Sequence, residues 1–376
     1  MRIANGITYV EGKLQNGVEV AFQNGVITAM GAQLPAEPTI DATGCIVTPG
    51  FIDIHIHGFA GHDAMEGEDA VRIMAKALPK HGTTSFLATT MTASVEETRT
   101  CLAGIARVVA QPGAGANVLG AFMEGPYFCE KRKGAQPGQY LAMPSLAHLE
   151  SMTGENAKVV RMISVAPELE GALEFIRALS ARGVTVACGH TDATCEQVME
   201  AVRCGASEIT HLFNGMSALH HREPGVPGAA LTCKQLSVEL IADLIHLHPT
   251  ALRLAYTAKG ADRCVAITDS MMAGGMPDGI YSLGGQTVIV KENAARLENG
   301  VLAGSTLTLD RSLRNMVSAV GVPLEDALKM YTANPARQIG ETRRGTLQVG
   351  HFADLLLLDA ATLAIKAVYV GGMQVA

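Results

Sequence analysis

The 376-residue chain has no tryptophan, an aromatic share of 4 % and a charged share of only 17 %. Beside 48 % hydrophobic residues, so little charge excludes an intrinsically disordered chain, which shows the opposite balance. It also lacks a basic excess: the formal net charge of -7 argues against a nucleic-acid partner, so any anionic ligand needs a local positive site. The eight cysteines include no C-x-x-C pair, which removes a thiolate zinc site and a disulfide framework and leaves reduced thiols as the expectation. No apolar run reaches the roughly 18 residues of a membrane span, and the opening "MRIANGITYVEGKLQNG" has no apolar signal-peptide core. The expectation is a chain with no membrane partner, working in the cytoplasm.

What is present is a regular alternation. Eight short apolar runs, "GFIDIHIH", "TTSFLATT", "NVLGAFMEG", "VVRMISVAPE", "VTVACGHT", "EITHLFNGM", "SVELIADLIH" and "CVAITDS", are interleaved with helical patterns such as residues 67–80, 94–110 and 168–182. That order and number predict an α/β fold, a (β/α)8 TIM-like barrel, over 49–343. The ends differ. "GVEVAFQNGVITAM" reads as a hairpin turning at Asn24-Gly25, and "HFADLLLLDAATLAIKAVYVGGMQVA" as strands around a Gly371-Gly372 turn, so 1–48 and 344–376 together predict one accessory β-sandwich. "QPGAGAN" reads as a surface turn and "VIVKENAARLENGVLAG" as a hairpin inserted late in the barrel.

The polar exceptions fall at the C-terminal ends of the runs, where barrel active sites are built. They are His55 and His57 on the first, Glu124 on the third, His190 on the fifth, His211 on the sixth and Asp269 on the eighth. Residues i and i+2 of a strand share a face, so His55 and His57 can converge on one ion. Read alone, any of these histidines is a core residue; together they are a ligand set for a divalent metal, zinc first, with iron or another first-row ion as alternatives. Glu124 reads as a loop cap or as a carboxylate bridging two ions. Asp269 reads as a helix cap or as the general base of a metal-assisted hydrolysis.

The motifs "PGFIDIHIHG", "MEGPY" with "KRKGAQP", "GHTDAT", "THLFNGMSALHHREPGVPGAAL", "IADLIH", "ITDSMMAGGMPDGIYSLGG" and "LAGSTLTLDRSLRNM" span nearly the whole chain. They resemble the N-acetylglucosamine-6-phosphate deacetylases of the amidohydrolase superfamily. The resemblance implies a barrel with a sandwich made by both termini, and a hydrolase releasing acetate and glucosamine 6-phosphate from N-acetylglucosamine 6-phosphate. Many superfamily members bridge their metals with a carbamylated lysine on strand four; "VVRMISVAPE" has none, and the likeness gives that role to Glu124. With both strand-one histidines present it implies one or two ions per subunit: His55, His57, Glu124 and Asp269 around one, Glu124, His190 and His211 around the other. It further implies that Asn214, the backbone of Gly215, Arg222 and His246 hold the sugar phosphate, His246 reaching across a homodimer.

Two residues depart from the family pattern. Gln136 stands where "KGAH" would supply a histidine toward the substrate; it can donate a hydrogen bond but carry no charge. Leu244 stands beside His246 where glycine is usual. Rival readings are the same chemistry on N-acetylgalactosamine 6-phosphate, a deacylase or deaminase of another small amide, and a non-catalytic scaffold on this fold. A scaffold would be expected to have lost ligands, and all six are intact.

Overall fold

Each of the eight apolar runs supplies a strand in the computed structural model, which describes residues 1–35 and 38–376. The strands are β1 (Phe51–Ile56), β2 (Thr83–Thr90), β3 (Asn117–Glu124), β4 (Val160–Val165), β5 (Thr185–Cys188), β6 (Glu208–Ile209), β7 (Ser237–Ile241) and β8 (Cys264–Ile267). They lie parallel and in chain order in one sheet. Parallel neighbours need a crossover, and the amphipathic segments between them provide it. Helix α1 covers Glu68–Ala77 and α2 covers Val95–Ala110, close to the expected spans. Ser94 caps α2 and Glu97 returns to the Ser94 N–H, a capping box that fixes where the helix starts. The helix expected over 168–182 begins only at Ala172. Glu168 is engaged instead by the Thr191 hydroxyl and the Asp192 N–H, which ties this loop to the one after β5.

Inward-facing Leu87, Phe122, Met162, Ile241 and Val265 fill the barrel, while a second, larger apolar layer lies between strands and helices. The barrel closes between β1 and β8. Asp269 N–H donates to His55 O and His57 N–H to Ser270 O, each at 2.9 Å. Beneath this seam the wholly buried Asp53 accepts the Thr268 hydroxyl at 2.6 Å and the N–H groups of Thr268 and His55 at 3.3 Å. Burial pushes the Asp53 carboxyl up to about 7, against the pull of the Thr268 hydroxyl.

The chain ends build two more sheets. One orders Val26–Gly31, Glu19–Gln23, Arg2–Ala4 and Thr39–Asp41; the other joins Ile7–Val10 and Cys45–Pro49 to Leu355–Asp359 and Ile365–Val370, Cys45–Pro49 pairing with Leu355–Asp359. Val20, Phe22 and Ile27 from the first meet Val47, Leu355 and Tyr369 from the second in one buried cluster, which is the expected sandwich. At Asn24-Gly25 both φ values are positive, 50° and 81°, the backbone that matches the twist of paired strands. The late insertion is a three-stranded meander, Gly279–Leu283, Gln286–Lys291 and Ala294–Leu297, one strand more than the expected hairpin. Among the described residues no helix is long and apolar enough to cross a membrane.

The seam makes a prediction. Thr268→Val keeps the shape but leaves Asp53 with an unpaired buried oxygen, a loss of about 1–3 kcal/mol by denaturant melting. An unchanged midpoint would mean that the Asp53 clamp does not hold the barrel shut.

Candidate metal centre

His55 and His57 rise from the end of β1, Glu124 ends β3, and His190, His211 and Asp269 sit just past β5, β6 and β8. The last three have positive φ values of 47°, 28° and 50°, which non-glycine residues rarely adopt. Leaving the strand direction at these points turns the side chains over the barrel mouth instead of out toward the helices. β6 is short for the same reason: beyond Ile209 the chain folds into a turn, with Leu212 N–H donating to Glu239 O on β7 at 2.9 Å. Gly215, at φ 59°, follows; a Cβ there would stand 3.1 Å from His190 Nδ1.

The six side chains converge as two groups that could each hold an ion, His55–His57–Asp269 and Glu124–His190–His211. In the first group the Nε2 atoms are 3.3 Å apart, and Asp269 Oδ1 lies 3.5 Å from His55 and 3.4 Å from His57. In the second, the Nε2 atoms are 3.1 Å apart and each is 3.1 Å from Glu124 Oε1. Glu124 also faces the first group, Oε2 at 3.2 Å from His57 and Oε1 at 3.4 Å from His55. Tetrahedral ligands at about 2.0–2.1 Å from a zinc ion stand about 3.3 Å from one another, so these spacings fit a coordination sphere.

The hydrogen bonds behind the rings support that fit. His190 Nδ1 lies 3.0 Å from Arg132 O and His211 Nδ1 3.2 Å from Asn214 O. Carbonyls only accept, so each Nδ1 bears a hydrogen, and each ring when neutral turns a bare Nε2 lone pair inward. His55 is set likewise by Glu239 Oε2 at 2.9 Å. Lone pairs and carboxylate oxygens gathered this closely repel one another unless a cation lies among them.

The electrostatics give the same sign. Burial opposes charge on His57 and His211, yet the bonds and charges of Asp269 and Glu124 push His57 up to about 10, and those of Glu124 push His211 up to about 9. Burial alone would raise Glu124 and Asp269; nearby imidazoles, His55 foremost, hold both carboxyls below their usual values. Without metal the site collects protons, which any ion must displace.

A cavity of about 330 Å³ opens above these residues. Asn214, Gly215, Gln136 and His246 line it with the ligand groups, as does Arg296 from the inserted meander. A larger cavity of about 590 Å³ adjoins it across Met91 but holds none of the ligand histidines. The Gln136 amide is fixed at both ends: Oε1 accepts Thr92 N–H at 2.8 Å and Nε2 donates to Glu124 Oε2 at 2.6 Å. His246 lines the cavity of its own chain, its Nδ1 2.7 Å from Asp243 Oδ2. Arg222 is exposed, donates to His221 Nε2 at 2.7 Å and does not line this cavity. Leu244 holds a left-handed φ of 67°, the conformation that makes glycine the usual residue there. Sequence reasoning missed Glu239, whose only signal is an acid inside "SVELIA", and Arg296, which gives none.

The model of the amidohydrolase family matches residues 46–375. The chain belongs to the amidohydrolase family. It is 40 % identical over 361 residues to the N-acetylglucosamine-6-phosphate deacetylase of Lysinibacillus sphaericus, covering 95 % of this chain and 93 % of that one. It is 38 % identical over 356 residues to the N-acetylgalactosamine-6-phosphate deacetylase of Escherichia coli O157:H7, covering 94 % and 93 %. An aspartate-to-alanine mutant N-acetyl-D-glucosamine-6-phosphate deacetylase of Mycobacterium smegmatis, solved in complex with N-acetyl-D-glucosamine-6-phosphate, matches with a TM-score of 0.93 at 33 % identity. That match covers 100 % of this chain and 99 % of that one. This amidohydrolase is a metal-dependent hydrolytic enzyme.

Proton competition fixes a pH dependence. In the metal-free amidohydrolase the raised imidazoles of His57 and His211 stabilise the fold fully below about pH 6.5, and that contribution is lost as pH rises through about 9–10. Metal binding gains over the same window, so the gap in melting temperature between zinc-loaded and chelator-treated protein widens from about pH 7 to about pH 10. A gap that stays constant in calorimetric scans would show that protons and metal do not share these ligands.

Proposed function

We propose that this amidohydrolase deacetylates N-acetylglucosamine 6-phosphate to glucosamine 6-phosphate and acetate. The observation that carries the reading is Glu124, a buried carboxylate joining two ligand groups on the floor of a cavity that Asn214, Gly215 and His246 also line. Identity of 40 % over 95 % of the chain to an enzyme named for that substrate supports the choice of sugar.

His55, His57, Glu124 and Asp269 would hold one divalent ion, and Glu124, His190 and His211 a second; zinc suits this donor set, with iron or another first-row metal as alternatives. Such ions supply polarisation of an amide carbonyl and a water acidic enough to lose a proton near neutral pH. Asp269, ionised by its imidazole neighbours, takes the proton from the attacking water and returns it to the leaving nitrogen. Gln136, held by the Thr92 N–H and with its amide shared between Glu124 and the Met91 sulfur, keeps the Glu124 carboxylate in place. Asn214, the Gly215 backbone and His246 receive the sugar phosphate, His246 steadied by Asp243. The cytoplasm suits a phosphorylated sugar and eight free thiols.

Acetate release by metal-loaded protein from the phosphorylated gluco and galacto sugars and both unphosphorylated sugars tests this. The expected result is turnover of N-acetylglucosamine 6-phosphate, lowered by about 10²–10⁴-fold in Asp269→Asn. Faster turnover of the galacto epimer would move the assignment to that sugar, and turnover independent of phosphate would move it to another amide.

Arg222 belongs to the same proposal through a homodimer, because an exposed guanidinium that misses its own cavity can hold phosphate only in a second copy's cavity. Arg222→Ala and Asp269→Asn proteins, each weak alone, should regain activity when unfolded and refolded together. No recovery in mixed dimers would remove Arg222 from the site.

A further inference from the structure

Strand β7 carries an acid in an otherwise apolar run, and neither the hydrolytic step nor the sugar contacts use it. Glu239 is wholly buried. Its Oε2 accepts His55 Nδ1–H at 2.9 Å and the backbone N–H of His211 at 3.0 Å. A single carboxylate oxygen therefore holds the side chain of one ligand group and the backbone of the other.

His55 is distinguished from the other imidazoles by this contact. His190 and His211 rest Nδ1 on peptide carbonyls, and buried His57 Nδ1 has no hydrogen-bond partner. A carboxylate behind a ligand histidine fixes its tautomer, aims Nε2 at the ion and raises its basicity. The contact to His211 acts differently: that residue has a φ of 28°, and the Glu239 oxygen anchors its N–H where the chain leaves β6.

Packing alone does not account for an acid here. Glu239 Oε1 has no hydrogen-bond partner, and neither does either oxygen of buried Glu208 on the adjacent strand β6. Glu208 stands opposite Ser237 in register, and Ser237 and Glu239 share a face of β7. A buried carboxylate with one oxygen unpartnered carries a desolvation cost that an apolar residue in the position would not. A cation held by the His55 group would offset it.

We propose that Glu239 is a positioning residue: it sets the tautomer and aim of His55, so that metal retention at the His55–His57–Asp269 group depends on it, while its second contact pins the turn carrying His211. The inference rests on the metal-hydrolase reading above.

Zinc titration by calorimetry into chelator-treated unaltered protein, Glu239→Gln and Glu239→Ala tests it, with cobalt(II) absorption spectra reporting the ligand set. Two equivalents are expected for the unaltered protein. Glu239→Ala should weaken one of them by about 10–100-fold and alter the cobalt spectrum. Glu239→Gln keeps an oxygen for both N–H donors and should recover part of that affinity. If the alanine variant does not fold, the glutamine variant decides through its intermediate loss. Two folded variants that bind zinc with unaltered affinity and spectrum overturn the inference and leave the hydrolase reading intact. Unaltered protein that binds no zinc overturns both.

Discussion

The barrel mouth depends on one constraint: acceptor atoms crowded around the Glu124 carboxylate need positive charge among them. Four imidazole Nε2 atoms lie within 3.4 Å of its two oxygens, and Asp269 lies within 3.5 Å of two of the same rings. In a buried setting such a cluster is strongly attractive with a cation inside it and strongly repulsive without one. Protons fill that role at the cost of the metal, and a metal fills it by releasing them. The surrounding fold holds the carboxylate still: Gln136 links it to the Thr92 backbone, which joins the loops after β2 and β3.

Holding six ligands around two points requires departures from regular strand geometry. His190, His211 and Asp269 all sit at positive φ, and each such residue costs on the order of 1–3 kcal/mol that the rest of the fold must offset. The offset is visible in neighbouring contacts. Asp269 N–H donates to His55 O across the closing seam, and His211 N–H donates to Glu239. The closing seam and the ligand set therefore share their hydrogen bonds, and a change in one is felt in the other.

The ligands themselves were legible in the sequence because they are polar residues ending apolar runs, a contrast that survives without coordinates. The barrel was legible for a related reason: eight runs of the right length with helical pattern between them admit few other topologies. What sequence did not reveal depends on direction. His246, two residues past the left-handed Leu244, lines the cavity over its own barrel, a placement that no motif spells out. Arg222 was placed with the phosphate by its motif, but its loop leaves it at the surface. Glu239 is not legible in the sequence because one acid in a strand has no period. Its meaning comes from the two N–H groups that face it, which lie far away in the chain.

Gln136 shows how a departure from a family motif can leave the physics intact. The position must accept a hydrogen bond from Thr92 N–H and donate one to Glu124. A neutral imidazole has one acceptor and one donor nitrogen, and a glutamine amide offers an oxygen and an NH2 group, so either side chain meets both demands. They differ in what protonation does. An imidazole that gains a proton loses its acceptor and would break from Thr92 while strengthening its hold on Glu124. The amide has no such second state, so its grip on the central carboxylate does not change with pH, and the titration of the site is left to its ligands.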